Sequence, residues 1–111
     1  MEVKAIAKDT GIPPRKARLL VNMVRGKKVE DALNMLKFTP SPSALIVAKT
    51  IKSAASNAES VYQLPSSELR VVKIVADEAR MLTRYRARAR GRAGGIKKRS
   101  SHITVVVSEE S

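Results

Sequence analysis

Residues 84–92 read Arg-Tyr-Arg-Ala-Arg-Ala-Arg-Gly-Arg, so that an arginine stands at every second position. Alternate residues of an extended strand leave the backbone on the same side, whereas residues two apart in a helix point nearly opposite ways. The intervening residues are small, apart from Tyr85, so the second side of such a strand is thin. The spacing predicts an extended ribbon with one cationic face, whose partner is rich in phosphate.

The net charge of +12 is concentrated in the same part of the chain. Residues 80–102 hold nine basic groups and no acidic group, whereas the remaining residues hold thirteen basic and ten acidic groups. Positive charge that is concentrated in one part of a protein indicates nucleic-acid binding rather than general solubility. We therefore expect one domain over residues 1–111, with a globular body at about 1–79 and 103–111 and an extended hairpin arm at about 80–102.

Composition excludes several other classes of protein. The chain has no cysteine, which rules out disulfides, a thiolate nucleophile and a zinc-ribbon site. Its first residues lack the basic and apolar regions of a signal peptide, and its apolar runs are far too short to span a membrane. These features predict a cytoplasmic protein with no membrane partner.

Three helices are predicted in the first half of the chain. Pro13-Pro14 suits the first turn of a helix that runs to about Arg25, with an apolar stripe at Ala17, Leu20, Val21 and Val24. A second helix begins at Glu30-Asp31 and ends near Phe38. A third has Ser41 as its N-cap and Pro42 just inside, ends near Glu59, and carries an apolar stripe at helical spacing. That stripe consists of Leu45, Ala48, Ile51 and Ala55.

Strand signals flank these helices. Val3, Ala5 and Ala7 alternate with polar residues, and residues 69–76 and 103–107 are rich in valine and isoleucine. Gly94-Gly95 is the expected place for the chain to reverse between the last two strands. The predicted fold is α+β, with three helices packed on a small antiparallel three-stranded sheet and a long protruding basic β-hairpin. We expect its tip to become ordered only on RNA, because a lone hairpin has no apolar face to bury.

A second basic group lies on the first helix and at its exit, and it consists of Arg15, Lys16, Arg18, Arg25, Lys27 and Lys28. Its density favours RNA contact, with a simply solvated helix face as the alternative. Tyr85 either stacks on a base or packs on its own hairpin. Arginine in particular binds phosphate through two parallel hydrogen bonds. The candidate RNA-binding residues are Arg15, Lys16, Arg18, Arg25, Lys27, Lys28, Arg80, Arg84, Arg86, Arg88, Arg90, Arg92, Lys97, Lys98, Arg99 and His102.

Nothing in the sequence indicates catalysis. His102 is the only histidine, and it has no cysteine or cluster of carboxylates near it, so neither a metal site nor a general base is expected there. No serine has a partner for a catalytic triad, and no glycine-rich loop has the spacing that holds nucleotide phosphates. We predict that the protein is not an enzyme and has no cofactor, no metal and no small-molecule substrate.

Two long motifs carry a resemblance to a known family. Residues 88–93, Arg-Ala-Arg-Gly-Arg-Ala, are followed by residues 96–107, Ile-Lys-Lys-Arg-Ser-Ser-His-Ile-Thr-Val-Val-Val. Together they resemble the basic tip and return strand of protein twenty-two of the large ribosomal subunit. Further matches occur in family order at residues 16–19, 25–29 and 53–59.

The resemblance implies a structural constituent of the large subunit that binds and organises large-subunit rRNA during assembly. It also implies that the hairpin lines the nascent-peptide exit tunnel, with Gly91, Arg92 and Ala93 at the tunnel-facing tip. The implied partners are large-subunit rRNA, neighbouring ribosomal proteins including large-subunit protein four at the tunnel constriction, and the nascent peptide in passing.

Two other functions compete with this interpretation. Residues 13–25 and 30–38 could form a DNA-binding helix-turn-helix, but its second helix would enter the major groove led by Glu30 and Asp31, which repel phosphates. It would also leave the arginine-rich segment as an unrelated tail. An enzyme acting on RNA would need a nucleophile, a general base or a metal cluster, and the sequence offers none.

Overall fold

The computed structural model describes residues 2–8, 10–78, 82–87, 93–98 and 100–109. It confirms the predicted α+β class, with three helices and a three-stranded antiparallel sheet. The elements are β1 (Glu2–Ala7), α1 (Pro14–Val24), α2 (Val29–Lys37), α3 (Pro42–Tyr62), a 3-10 turn (Ser66–Glu68), β2 (Leu69–Glu78), β3 (Leu82–Ala87), β4 (Ala93–Lys98) and β5 (Ser101–Glu109).

The last strand of the chain is the centre of the main sheet, whose order is β1-β5-β2. Alternation places Ile103, Val105 and Val107 of β5 on one face, where all three are fully buried. Helix α3 packs on β1 and β5, α1 packs on β2, and α2 packs on α3. A bulge between Val71 and Lys73 shifts the register of β2. The buried hydrophobic residues in the described ranges are all aliphatic, in a chain whose aromatic content is only 3%.

Helix α1 matches its prediction closely. Pro14 occupies the first turn, and the whole predicted apolar stripe is buried. The helix is followed by Gly26, which adopts a positive φ of 79° that other residues rarely take. Helix α2 then begins at Val29, with Glu30 and Asp31 in its first turn as predicted.

Helix α3 is longer than predicted, and its buried face only partly follows the apolar stripe of the sequence. Ser41 is the N-cap, and its hydroxyl accepts a hydrogen bond from the Ser43 N–H at 3.3 Å. The helix continues to Tyr62 instead of ending near Glu59. Of the residues at helical spacing in the sequence, Ile51 and Ala55 are buried, whereas Leu45 is 60% exposed. The residues that α3 buries are Ala44, Val47, Thr50, Ile51, Ala54, Ala55 and Ala58.

The arm forms a separate two-stranded sheet, in which β3 pairs with β4 from Leu82↔Lys98 to Ala87↔Ala93. The predicted reversal at Gly94-Gly95 is wrong, because both glycines lie within β4 opposite Arg86 and Tyr85. Residues 88–92 connect the strands and, like residues 79–81, lie outside the described part of the chain. The prediction that the tip becomes ordered only on RNA concerns residues 88–92, so it stays a prediction.

Candidate nucleic-acid interface

The outer face of α1 carries exposed cations. Arg15, Lys16 and Arg18 are all exposed, because the buried stripe of the helix faces the sheet and leaves these positions in water. Leu19 stands among them and is 71% exposed. Sequence reasoning missed Leu19, since an isolated leucine beside an apolar stripe gives no signal of its own exposure.

Two of the predicted RNA-binding arginines donate hydrogen bonds to carbonyl groups on the outer edge of β2. The Arg18 Nε donates to the Ala76 carbonyl at 3.3 Å, and the Arg25 Nη2 donates to the Ile74 carbonyl at 2.8 Å. The Arg25 Nη1 also donates to Asn22 Oδ1 at 2.8 Å. An edge strand presents unpaired carbonyls, and the guanidinium groups cover two of them. Each arginine has five N–H donors, so most of them are left for another ligand.

The link between α1 and α2 pairs with the start of β2. The Gly26 N–H donates to the Val71 carbonyl at 3.0 Å, and the Val71 N–H donates to the Lys27 carbonyl at 2.9 Å. Arg70 adds a hydrogen bond from Nη1 to the Gly26 carbonyl at 2.7 Å. Lys27 and Lys28 are exposed on this link. The second basic group therefore follows one edge of the sheet, along the strand that leads to the arm.

The return strand is anchored to the loop that precedes α1. The Thr10 N–H and hydroxyl both donate to the Ser101 carbonyl at 3.1 Å, and the Gly11 N–H donates to the Ser100 hydroxyl at 2.9 Å. Both serines are buried. His102 follows them in β5, where it is half-buried and pairs in register with Asp77. Hydrogen bonds within the body thus anchor β2, which precedes the arm, and the start of β5, which follows it.

The structure describes the backbone of only part of the predicted arm site. Arg84 and Arg86 occupy alternate positions of β3, and Ala93, Lys97 and Lys98 lie in β4. The remaining predicted residues lie outside the described part of the chain, and they are Arg80, Arg88, Arg90, Gly91, Arg92 and Arg99. The extended conformation expected for the start of the arginine-rich segment is thus confirmed for residues 84–87.

The described residues contain no group of three or more histidine, cysteine, aspartate and glutamate side chains that could hold a metal ion. Within the same ranges, no helix has the length and apolar character needed to cross a membrane. A surface built from arginine and lysine side chains is suited to binding phosphate.

Replacing Arg25 with lysine should destabilise the protein by about 1 kcal/mol, because lysine keeps the charge but cannot reach both the Ile74 carbonyl and Asn22. Urea denaturation measures the free energy of unfolding. Arg15→Lys is the matched control, since it makes the same exchange at an exposed position in the first turn of α1, whereas Arg25 caps the end of that helix. Equal stability of the two variants would show that the contacts of Arg25 with β2 contribute nothing.

The fold and the surface define a small basic α+β protein with a two-stranded arm and with cations along one edge of its sheet. A family model described as "Ribosomal protein L22p/L17e" matches residues 5–108. The chain therefore belongs to this family of ribosomal proteins. Membership confirms the sequence-based family assignment and the prediction that the protein is a structural component and not an enzyme.

Curated relatives match over almost the whole chain. A protein of Dehalococcoides mccartyi named "Large ribosomal subunit protein uL22" is 60% identical over 109 residues, which cover 98% of this chain and 100% of the relative. Proteins of the same name from Desulforamulus reducens and Halothermothrix orenii are 52% and 46% identical. In both cases the match covers 99% of this chain and 97% of the relative.

Proposed function

We propose that this chain binds and organises large-subunit rRNA during assembly of the large ribosomal subunit. The relatives' names place them in that subunit. This chain is therefore located in the ribosome, in the cytoplasm, as the sequence predicts. Binding to rRNA is general to the family. The single observation that carries the proposal is the line of exposed cations from Lys28 back along α1, which follows the β2 edge in the direction of the arm.

The contacts of Arg18 and Arg25 support RNA binding by this edge. Hydrogen bonds to the Ala76 and Ile74 carbonyls fix each guanidinium relative to the sheet. A side chain that is already fixed loses less conformational entropy when it binds. The remaining N–H donors can then bind phosphate oxygens in pairs. The body site proposed for RNA comprises Arg15, Lys16, Arg18, Arg25, Lys27, Lys28 and His102.

We further propose that the arm enters folded rRNA and lines the nascent-peptide exit tunnel. The body at about 1–79 and 103–111 and the arm at about 80–102 would then act as one domain with two roles. Residues Gly91, Arg92 and Ala93 would face the nascent peptide, close to large-subunit protein four at the constriction. The support for this step is the resemblance of residues 88–107 to the family motif and the separate pairing of β3 with β4.

The proposed arm contacts to rRNA comprise Arg80, Arg84, Arg86, Arg88, Arg90, Arg92, Lys97, Lys98 and Arg99. An isolated antiparallel ribbon has few apolar contacts of its own, so a surrounding phosphate-rich partner would supply most of its stabilisation. Family membership also implies neighbouring ribosomal proteins as partners.

DNA recognition through α1 and α2 is disfavoured by the structure. Helix α2 begins with exposed Glu30 and Asp31 in its first turn. The first turn of a recognition helix approaches DNA most closely, so these carboxylates would meet phosphates of like charge.

Sedimentation tests the proposal. The protein should co-sediment with large subunits assembled in vitro at moderate salt, and it should be retained when excess duplex DNA is added. Its binding should weaken steeply with salt, because phosphate contacts release counterions. Displacement of the protein by duplex DNA, or its absence from the subunit fraction, would contradict the proposed function.

A further inference from the structure

A groove between α2 and α3 lies outside the site described above. Its cavity has a volume of about 550 Å³, within the range of pockets that hold small ligands. The apolar part of its lining consists of Leu33, Leu36, Ala44, Leu45 and Ala48. Leu45 is 60% exposed, and Phe38, which directly follows the lining residue Lys37, is 79% exposed. Leu45 is thus in contact with water within the groove, and Phe38 is in contact with water next in the chain to two residues that line it, Lys37 and Thr39.

The charges at this groove favour an anionic occupant. Lys37 and Lys52 line the cavity, and no acidic residue does. A second cavity of about 210 Å³ shares Leu33 and Lys52 with the first, but it is lined by Glu30 and Glu59. An anion would therefore be attracted to the end near Lys37 and repelled from the other end.

The polar groups of the groove differ in whether they already have partners. The Thr39 hydroxyl donates to the Met35 carbonyl at 2.7 Å, and the Ser41 hydroxyl caps α3. Among the described residues, nothing is hydrogen-bonded to the side-chain amide of the exposed Asn34. An amide offers both donors and an acceptor, which is the combination needed to bind the edge of a nucleic-acid base.

We propose that the α2–α3 groove binds an unpaired nucleotide of rRNA. The base packs against Phe38 and the apolar lining, Asn34 binds the base edge, and Lys37 and Lys52 bind the phosphates. The Lys37 Nζ lies 5.9 Å from the centroid of the Phe38 ring, so a cation and an aromatic face are already adjacent. RNA is recognised mainly at unstacked bases that pack on aromatic side chains. This inference rests on the proposed rRNA-binding function and adds a second contact to it.

RNA fits this groove better than a segment of another protein. Every nucleotide combines an apolar base face with an adjacent negative charge, whereas a protein segment would need an aliphatic residue flanked by carboxylates. Both lysines line the larger cavity, which no acidic residue lines, and Lys52 alone also borders the smaller cavity with its two glutamates. The charge of the larger cavity therefore matches the nucleotide.

Binding of the full-length chain to a transcript of large-subunit rRNA tests the groove. Phe38→Ala should weaken binding about tenfold, because stacking on one base is lost. Val61→Ala is its control, since Val61 is a similarly exposed apolar residue at the opposite end of α3. Lys52→Glu should weaken binding by a similar factor, and Lys49→Glu, which makes the same charge change outside the groove lining, should do so much less.

Three results would overturn this inference. Equal losses for Lys52→Glu and Lys49→Glu with no effect of Phe38→Ala would show that only general electrostatic attraction acts at α3. Unchanged affinity for RNA together with release of a neighbouring protein from subunits carrying Phe38→Ala would assign the groove to a protein. A wild-type chain that fails to bind the transcript would contradict the proposed function as well, so the two failures are distinguishable.

Discussion

Replacing Arg84, Arg86 and Lys97 with alanine should weaken binding to large-subunit rRNA by about a hundredfold at about 0.1 M salt. Each phosphate contact on non-duplex RNA contributes about 0.7 to the slope of log K against log salt. Loss of three contacts lowers the slope by about 2, which equals about two orders of magnitude between about 0.1 M and 1 M salt. Filter binding over a series of salt concentrations measures both the affinity and the slope.

A control variant separates the arm from overall charge. Lys4, Lys8 and Lys49 are exposed cations of the body outside the proposed site, and replacing all three with alanine makes the same change in net charge. The control should lose much less affinity than the arm variant. The arm variant should also keep the wild-type thermal transition, because β3 and β4 pair only with each other among the described strands. Equal loss of affinity in both triple variants would contradict a specific role for the arm.

The second large effect is expected in the core. Ile103→Ala should lower the free energy of unfolding by about 3 kcal/mol, because removing a fully buried isoleucine side chain typically costs about 2–5 kcal/mol. Ile103 is 0% exposed on the central strand β5, between Ala7 of β1 and Ala76 of β2. Its two cross-strand neighbours are small, so they cannot fill the cavity. For a domain of this size the melting temperature should fall by about 10 °C or more.

Ile6→Ala is the matched control for this prediction. Ile6 is also a sheet isoleucine, but it lies on the open face of β1 and is 45% exposed. The same chemical change should cost less than about 1 kcal/mol there, since the side chain already contacts water. Urea denaturation of both variants gives the two free energies of unfolding. Similar losses at the two positions would show that the core does not lie on the Ile103 face of the sheet.

Elements marked by local chemistry could be predicted from the sequence. Pro13-Pro14 begins α1, Ser41-Pro42 begins α3, and the valine-rich run at residues 103–107 lies in β5. In each case a proline, cap or valine-rich run restricts the backbone by itself. These signals were sufficient for the α+β class.

Features that depend on distant parts of the chain could not be predicted. Helix α3 is rich in alanine, so stripes containing Ala44 or Leu45 were both compatible with the pattern, and packing on β1 and β5 selects the first. Gly94-Gly95 suits either a turn or a strand, and pairing with β3 decides between them. The hydrogen bond from Arg25 to Ile74 joins residues 49 positions apart, which no local pattern indicates.

The most direct test of the central claim is a cryo-EM map of large subunits assembled in vitro with this protein. We expect β3 and β4 to remain paired as an extended ribbon inside folded rRNA, with phosphates within hydrogen-bond distance of Arg84 and Arg86. The exposed cations of α1 should contact rRNA at the base of the ribbon. A map in which the arm projects into solvent, or in which α1 contacts no RNA, would contradict the account.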